Sequence, residues 1–435
     1  MWRALQQNMA IESRKDNRWR DGGELRWLYV DMNSFFASCE QQCRKNLRKK
    51  PVIIVPTLSD YTCAIAASYE AKAFGIKTGT SVLEAKQKCP NLSIVEARPD
   101  VYVKIHGKIA EQIDKIIPIE HVCSIDEFAC ILMGPQKLEE NARQIGLNVQ
   151  KIIMENVGEC LTASVGIAPS KLLAKTACDI VKPLGLTILR MDELPGKLLD
   201  LEINDFAGIG HSMTKRLLAA GVCNVKALWH QSPSRMRKLW GGIVGENFYY
   251  SLHGIDPPEL VTTRSSISHS HVLAGPLRPV KDAYNVARRL VAKCGSRMRR
   301  MLLKCSRLHL SIRGDKGGRA QALAQFDATS DSFKLLDALK PLWIKCVREL
   351  GAKRIKKISI TCLSIVEITP QEDLFGWSLE GQENQKHMSV LNALDKLNSK
   401  YGKDTITIGP KTKLHNFVGA KIAFNRIPEI NEFHE

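Results

Sequence analysis

At 435 residues the chain is too long for one ordinary hydrophobic core, so it divides into several domains. A hydrophobic content of 44% and a charged content of 25% describe a globular protein and exclude a fibrous or low-complexity one. No run of about 18 apolar residues is present, which argues against a membrane span, and a formal charge of +18 argues for a polyanionic partner.

Residues 1–24 lack the apolar core and cleavage site of a signal peptide and form a polar extension. Residues 25–40 read as a strand running into a helix. A strand follows at 49–57, and 63–76 passes from strand to helix. The helix over 81–89 stops at Pro90, 91–97 is a short strand, and 101–117 has helical periodicity ending at Pro118. The stretch 122–133 holds two acids between apolar arms, which predicts a tight reversal. A helix near 137–157, a strand over 161–168 and a helix over 170–181 complete this part. No glycine-rich dinucleotide fingerprint accompanies the alternation, so the fold class is α+β and multidomain.

Beyond "KPLG" (182–185) come short helices, with "FAGIGHSMTKRLLAAGV" (206–222) the clearest feature, and a linker spans 254–266. Helices at 283–302 and 332–350 and strands at 306–314 and 354–368 make a compact module. Between Arg264 and Pro370 there are 22 Lys and Arg against 7 Asp and Glu, which supplies most of the chain's excess charge. Such asymmetry points to nucleic acid. Thirteen cysteines without a CxxC pair resemble reduced thiols more than a disulfide framework.

The chemistry centres on Asp31, at the end of an apolar strand, and on Asp126-Glu127 inside the other apolar pair. Taken singly each has a plainer reading, a helix cap for Asp31 and a turn for Asp126-Glu127. Carboxylates brought together repel unless a divalent cation neutralises them, and oxygen-only ligands suit Mg²⁺.

Five motifs occur in order: "DMNSFFASCE", "SYEAKAFGIKTG", "SIDEF", "ASVGIAPSKLLAKTACDIVKPLG" and "FAGIG". Together they resemble the Y-family of translesion DNA polymerases across nearly all of residues 25–370. Asn33, where polymerase IV relatives often carry a second aspartate, makes the nearest group the polymerase V catalytic subunit (UmuC-like), with polymerase IV more distant. The resemblance implies a right-hand fold. The palm would be 25–40 and 96–185, the fingers 41–95, the thumb with its helix-hairpin-helix 186–258, and the little finger 264–370. Residues 371–435 would hold a clamp motif and a C-terminal extension.

The implied activity is template-directed, low-fidelity addition of dNTPs to primer-template DNA with two Mg²⁺ ions. Asp31, Asp126 and Glu127 would be catalytic and, with the carbonyl of Met32, would hold the metals. Phe36 would be the steric gate against ribose, and Phe35 would lie under the sugar. Tyr69, Lys72 and Lys175 would contact the triphosphate. Gly208, Gly210 and Lys215 of the hairpin would meet the DNA backbone. Gln371, Asp373, Leu374 and Phe375 resemble the peptide that binds the bacterial beta sliding clamp. A UmuD-like accessory protein and a recombinase filament are further partners implied by the polymerase V group, as is a cytoplasmic, nucleoid-associated location without membrane contact. Two other classes remain: an inactive clamp-tethered scaffold of the same fold, and a nucleotide cyclase on a similar palm.

Overall fold

The computed structural model describes residues 24–60, 62–258, 264–367, 379–402, 405–409 and 427. The chain separates into two compact units at residues 259/260. Each is built around its own sheet.

In the first unit a five-stranded sheet has the order β5-β6-β1-β7-β8. Its strands are β1 (Trp27–Met32), β5 (Ile119–Val122), β6 (Glu127–Ile131), β7 (Ala163–Ala168) and β8 (Leu186–Ile188). β1 lies at the centre, antiparallel to both β6 and β7, and β8 joins β7 in parallel. All six residues of β1 are buried because both faces of the sheet are covered. Alternation along the strand sends them to different cores. Leu28, Val30 and Met32 join the core containing Ile109, Ile113 and Ile153 from the helices Pro99–Asp114 and Glu139–Asn156. Trp27 and Tyr29 join the opposite core, with Leu173, Ala174 and Ala177 of the helix Lys171–Ile180. Asp31 continues the second set, so its carboxylate is delivered to the side of helix Lys171–Ile180. That helix lies close against the sheet: a side chain at Gly166 of β7 would collide with the backbone of Ala174 and Cys178, at 2.0 and 2.4 Å.

A smaller sheet of order β3-β2-β4 is formed by β2 (Val52–Val55), β3 (Ala66–Ala67) and β4 (Ser93–Glu96). It carries the one-turn helix Tyr69–Lys72, capped by the Ser68 hydroxyl, and the helix Val82–Lys88. Four short helices follow at His211–Ala219, Val225–Trp229, Pro233–Trp240 and Ile243–Leu252. Asn224 and Ser232 cap the second and third through their side chains, and Gly241 ends the third in a left-handed conformation.

The second unit is an antiparallel sheet of order β11-β10-β12-β9, formed by Gly317–Thr329, Leu303–Gly314, Ile355–Glu367 and Ser266–Val272. Helices Val280–Arg300 and Ser332–Leu350 share a core with it. The sequence pattern missed β8, β9 and β11. β9 reads "SISHSHV" and buries only Ile267, and β11 alternates polar residues with small alanines, so neither shows a strong apolar period. A last helix, Leu379–Tyr401, also falls outside the expected elements. Arg299, almost fully buried, forks the Asp395 carboxylate at 2.7 and 3.0 Å and donates to the Ser330 carbonyl and the Ser332 hydroxyl. Leu391, on the same helix as Asp395, is fully buried. All thirteen cysteines are free. Among the described residues no helix is long and apolar enough to cross a membrane.

Candidate active site

Asp31 pairs with Glu127 across the β1–β6 ladder and with Ser164 across the β1–β7 ladder. Directly paired antiparallel residues share a face, so Asp31 and Glu127 project together. Asp126 stands in the turn between β5 and β6. Its carbonyl accepts the Met32 N–H at 2.8 Å and its carboxylate accepts the Ser124 hydroxyl. Burial pushes the Asp126 carboxyl up; the Ser124 bond opposes this, and Asp31 and Glu127 add to it. That is the behaviour of carboxylates crowded into one place.

Two lysines answer the crowding. Lys175 reaches both Asp31 and Glu127, the latter at 2.7 Å, and lies 3.3 Å from Asp179. Lys182 bridges Asp31 at 2.6 Å and Asp179 at 2.7 Å. Burial alone would lower both ammonium groups; Asp31 and Asp179 raise both, and Glu127 adds to Lys175. Among the described residues no three Asp, Glu, His or Cys side chains stand at metal-ligating separation, and lysines lie among the acids. The donor set nevertheless fits a divalent cation: oxygen ligands only, in excess over local positive charge if the lysines withdraw.

Above the end of β1 the chain turns through Ser34, whose φ of 48° is left-handed, into the helix Phe35–Cys43. Phe35 is 3% exposed and belongs to the core, so it presents little ring surface to a sugar. Phe36 is half-buried and stacks on the buried Tyr102, with centroids 4.6 Å apart and planes at 16°. Tyr102 is anchored in turn: its hydroxyl donates to Glu40, which Arg98 forks at 2.9 and 2.7 Å. Tyr69 and Lys72 come from the small sheet's one-turn helix, with the Lys72 ammonium 4.2 Å from the Tyr69 ring centre. Burial and the nearby Lys182 push Lys72 below the usual lysine range, against the pull of Asp31. Tyr69, Lys72 and Lys182 therefore belong to one electrostatic neighbourhood with Asp31.

Residues 30–179 match the family described as impB/mucB/samB, and residues 264–374 match that family's C-terminal domain. The DNA polymerase IV of Moorella thermoacetica is 31% identical over 388 residues, covering 87% of this chain and 94% of that protein. The chain belongs to the Y-family DNA polymerases. It is a DNA-directed DNA polymerase of the translesion class. The DNA polymerase IV of Bacillus velezensis is 29% identical, with 92% of this chain and 96% of the relative aligned. Among solved structures, a Y-family chimera, Dbh-Dpo4(243-245)-Dbh, superimposes with a TM-score of 0.64 at 21% identity, covering 79% of this chain and all of the chimera, which bears out the right-hand fold.

These relatives carry the polymerase IV name, and the expected closer kinship with polymerase V finds no support in them. Asn33 was the ground for that expectation, and its surroundings explain why it is a poor mark of ancestry. It is 1% exposed and fully engaged in hydrogen bonds, so local packing accounts for it. With that kinship goes the ground for a UmuD-like subunit or a recombinase filament.

Elsewhere in the polymerase, Gly208 adopts a φ of 91°, and Gly210 begins the helix His211–Ala219, its carbonyl accepting from Met213 and Thr214. Both glycines and Lys215 are exposed except for their own turn. The segment before them is a single 3-10 turn, Ile203–Asp205, rather than a full helix. In the second unit the sheet face away from the helices carries exposed Arg307, Arg313, Arg319 and Lys357, with Arg313 paired to both Arg319 and Lys357. Like charges set side by side repel, which favours an anionic ligand on that face. Gln371, Asp373, Leu374 and Phe375 lie outside the described residues, as does the N-terminal extension to residue 23.

Sequence reasoning passed over Lys182, Asp179 and His106. Lys182 lies just past the end of helix Lys171–Ile180, where the chain has left the helical repeat, so helical spacing gave no sign of its place beside Asp31. His106 is buried under the Asp126 turn, with Nδ1 2.8 Å from the Ile125 carbonyl and its ring stacked on Phe128 at 5.1 Å. Burial pushes this imidazole below its ordinary 6.5, against the Ile125 bond. The folded state then takes up its proton later than the unfolded chain as pH falls. This contribution to stability is complete above about pH 6.5 and is lost on acidification toward the lower folded value. The melting temperature should therefore decline from pH 7 to pH 5, and less so in His106→Gln; an equal decline in both would remove His106 as the cause.

Proposed function

We propose that Asp31, Asp126, Glu127 and the Met32 carbonyl hold two Mg²⁺ ions and that the polymerase adds dNTPs to a primer-template across damaged as well as intact bases. When bound, the ions would activate the primer hydroxyl and neutralise the leaving pyrophosphate. The observation that carries this reading is the cross-strand pairing of Asp31 with Glu127, beside the Asp126 turn, with Lys175 and Lys182 as their charge partners among the described residues. Lys175 and Lys182 keep the carboxylates neutralised before the metal arrives. Lys72, Lys182 and Tyr69 then meet the triphosphate, and Lys175 moves off Glu127. Phe36, its ring pinned flat by Tyr102, closes the space where a ribose 2′-hydroxyl would lie. The thumb turn at Gly208–Gly210, with Lys215, and the basic sheet of the little finger grip phosphates rather than bases, so affinity falls steeply with salt.

The carboxylate trio stands against the inactive-scaffold reading. Residues 371–375 suit an extended peptide with two adjacent apolar anchors for a sliding clamp. Primer extension on undamaged and lesion-bearing templates, with and without clamp, tests the whole reading. Template-directed products should form on both templates, and clamp should lengthen them. Nucleotide turnover without template, or no extension on either, would defeat the polymerase mechanism proposed here. Clamp-independent product lengths would defeat the tail reading alone.

A further inference from the structure

Asn33 has a task that its place beside the acids conceals. Its side-chain oxygen accepts the Tyr69 hydroxyl at 3.3 Å and the Ser164 hydroxyl at 3.0 Å, and its side-chain nitrogen donates to the Thr162 hydroxyl at 3.2 Å. Its backbone N–H donates to the Thr162 carbonyl at 2.8 Å, and its carbonyl accepts the Ser38 hydroxyl at 2.7 Å. Every polar atom of the residue is thus used, and only 1% of it is exposed. Two of the partners, Thr162 and Ser164, are held by the central sheet: Ser164 is in β7, paired with Asp31, and Thr162 immediately precedes that strand. The remaining side-chain partner, Tyr69, comes from the small sheet with its helices.

We propose that Asn33 is a positioning residue, which fixes the Tyr69 hydroxyl, and with it the neighbouring Lys72, in register with Asp31 for the incoming nucleotide's triphosphate. This rests on the reading of Tyr69 as a triphosphate contact. The physical case is one of rigidity. Tyr69 sits on a helix of four residues, too short to hold its own orientation, so its direction depends on what its tip touches. Asn33 is anchored on both sides by the sheet that carries the catalytic acids. An amide is also the one uncharged group of this size that accepts two hydroxyls while donating to a third. A carboxylate here would keep the two accepted bonds and add a charge to the crowd around Asp31.

Single-nucleotide insertion kinetics in the full-length protein test this with Asn33→Leu, Tyr69→Phe and the double variant. With Tyr69 present, Asn33→Leu should raise the dNTP KM and lower kcat/KM about tenfold, the scale of one buried hydrogen bond lost with its partner left unpaired. In the Tyr69→Phe background, which has no hydroxyl to orient, the same change should cost less than about twofold. Asn33→Asp, which keeps the acceptor, should restore most of the KM. An equal cost of Asn33→Leu in both backgrounds would overturn the proposal, because a merely structural residue behaves that way. If Asn33→Leu does not fold, the comparison of Asn33→Ser with and without Tyr69→Phe reads the same coupling. If Tyr69→Phe alone leaves the dNTP KM unchanged, the triphosphate reading of Tyr69 fails instead.

Discussion

Asp31→Asn should abolish primer extension, by at least about a thousandfold in kcat, while leaving affinity for primer-template DNA within about twofold. The substitution keeps the shape of the side chain and removes its charge. Asp31 is the acid on which the rest of the site converges: Glu127 faces it across the ladder, and both Lys175 and Lys182 end on its carboxylate. Losing that charge would remove a ligand from the proposed metal site and leave two lysines competing for Glu127 and Asp179. Rapid-quench kinetics would measure the first effect and fluorescence anisotropy on labelled DNA the second. A loss of DNA binding equal to the loss of rate would mean that Asp31 is structural. Thermal melting separates this from unfolding, because the ion cluster lies at the strand end and the apolar residues of β1 remain in place.

Phe36→Ala should lower the discrimination between dNTP and rNTP by about 100-fold, measured as the ratio of kcat/KM values, and retain measurable DNA synthesis. The ring is held on one side by Tyr102, and Tyr102 is held by the buried Glu40–Arg98 pair. A gate supported in this way excludes by volume, which a smaller side chain gives up. The truncation also costs about 2 kcal/mol of stability from lost packing, so the selectivity ratio, which cancels the amount of active protein, is the quantity to read. Phe35→Ala, by contrast, opens the core and acts mainly on stability, since its ring is buried. Unchanged sugar discrimination in Phe36→Ala would remove the gate assignment.

The parts of the fold that were legible in the sequence are those with strong local periodicity. β1 announces itself by a continuous apolar run broken by one acid, and the helices at 99–114 and 139–156 by their spacing and bounding prolines or acids. Asp126-Glu127 was legible as a reversal because two acids inside apolar arms have few other uses. β9 and β11 were not legible. Their buried side chains are few or small, and they become strands because β12 and β10 offer ladders to join. The helix Leu379–Tyr401 depends on Asp395 meeting Arg299, a pairing 96 residues apart. In the site, residue identities were legible and their partners were not. Lys175 was expected at the triphosphate and is found on the carboxylates, and Lys182, the first residue of "KPLG", had been given no role. Asn33 looked like a mark of ancestry until its contact with Tyr69, 36 residues away, gave it a physical task.

A crystal structure of the polymerase with primer-template, an unreactive dNTP analogue and Mn²⁺ in place of Mg²⁺ tests the central claim most directly. The account predicts two anomalous peaks bounded by Asp31, Asp126, Glu127 and the Met32 carbonyl, with the triphosphate against Tyr69, Lys72 and Lys182, Lys175 withdrawn from Glu127, and the sugar over Phe36. A nucleotide bound elsewhere, or both ions absent while Lys175 still bridges Asp31 and Glu127, would contradict it.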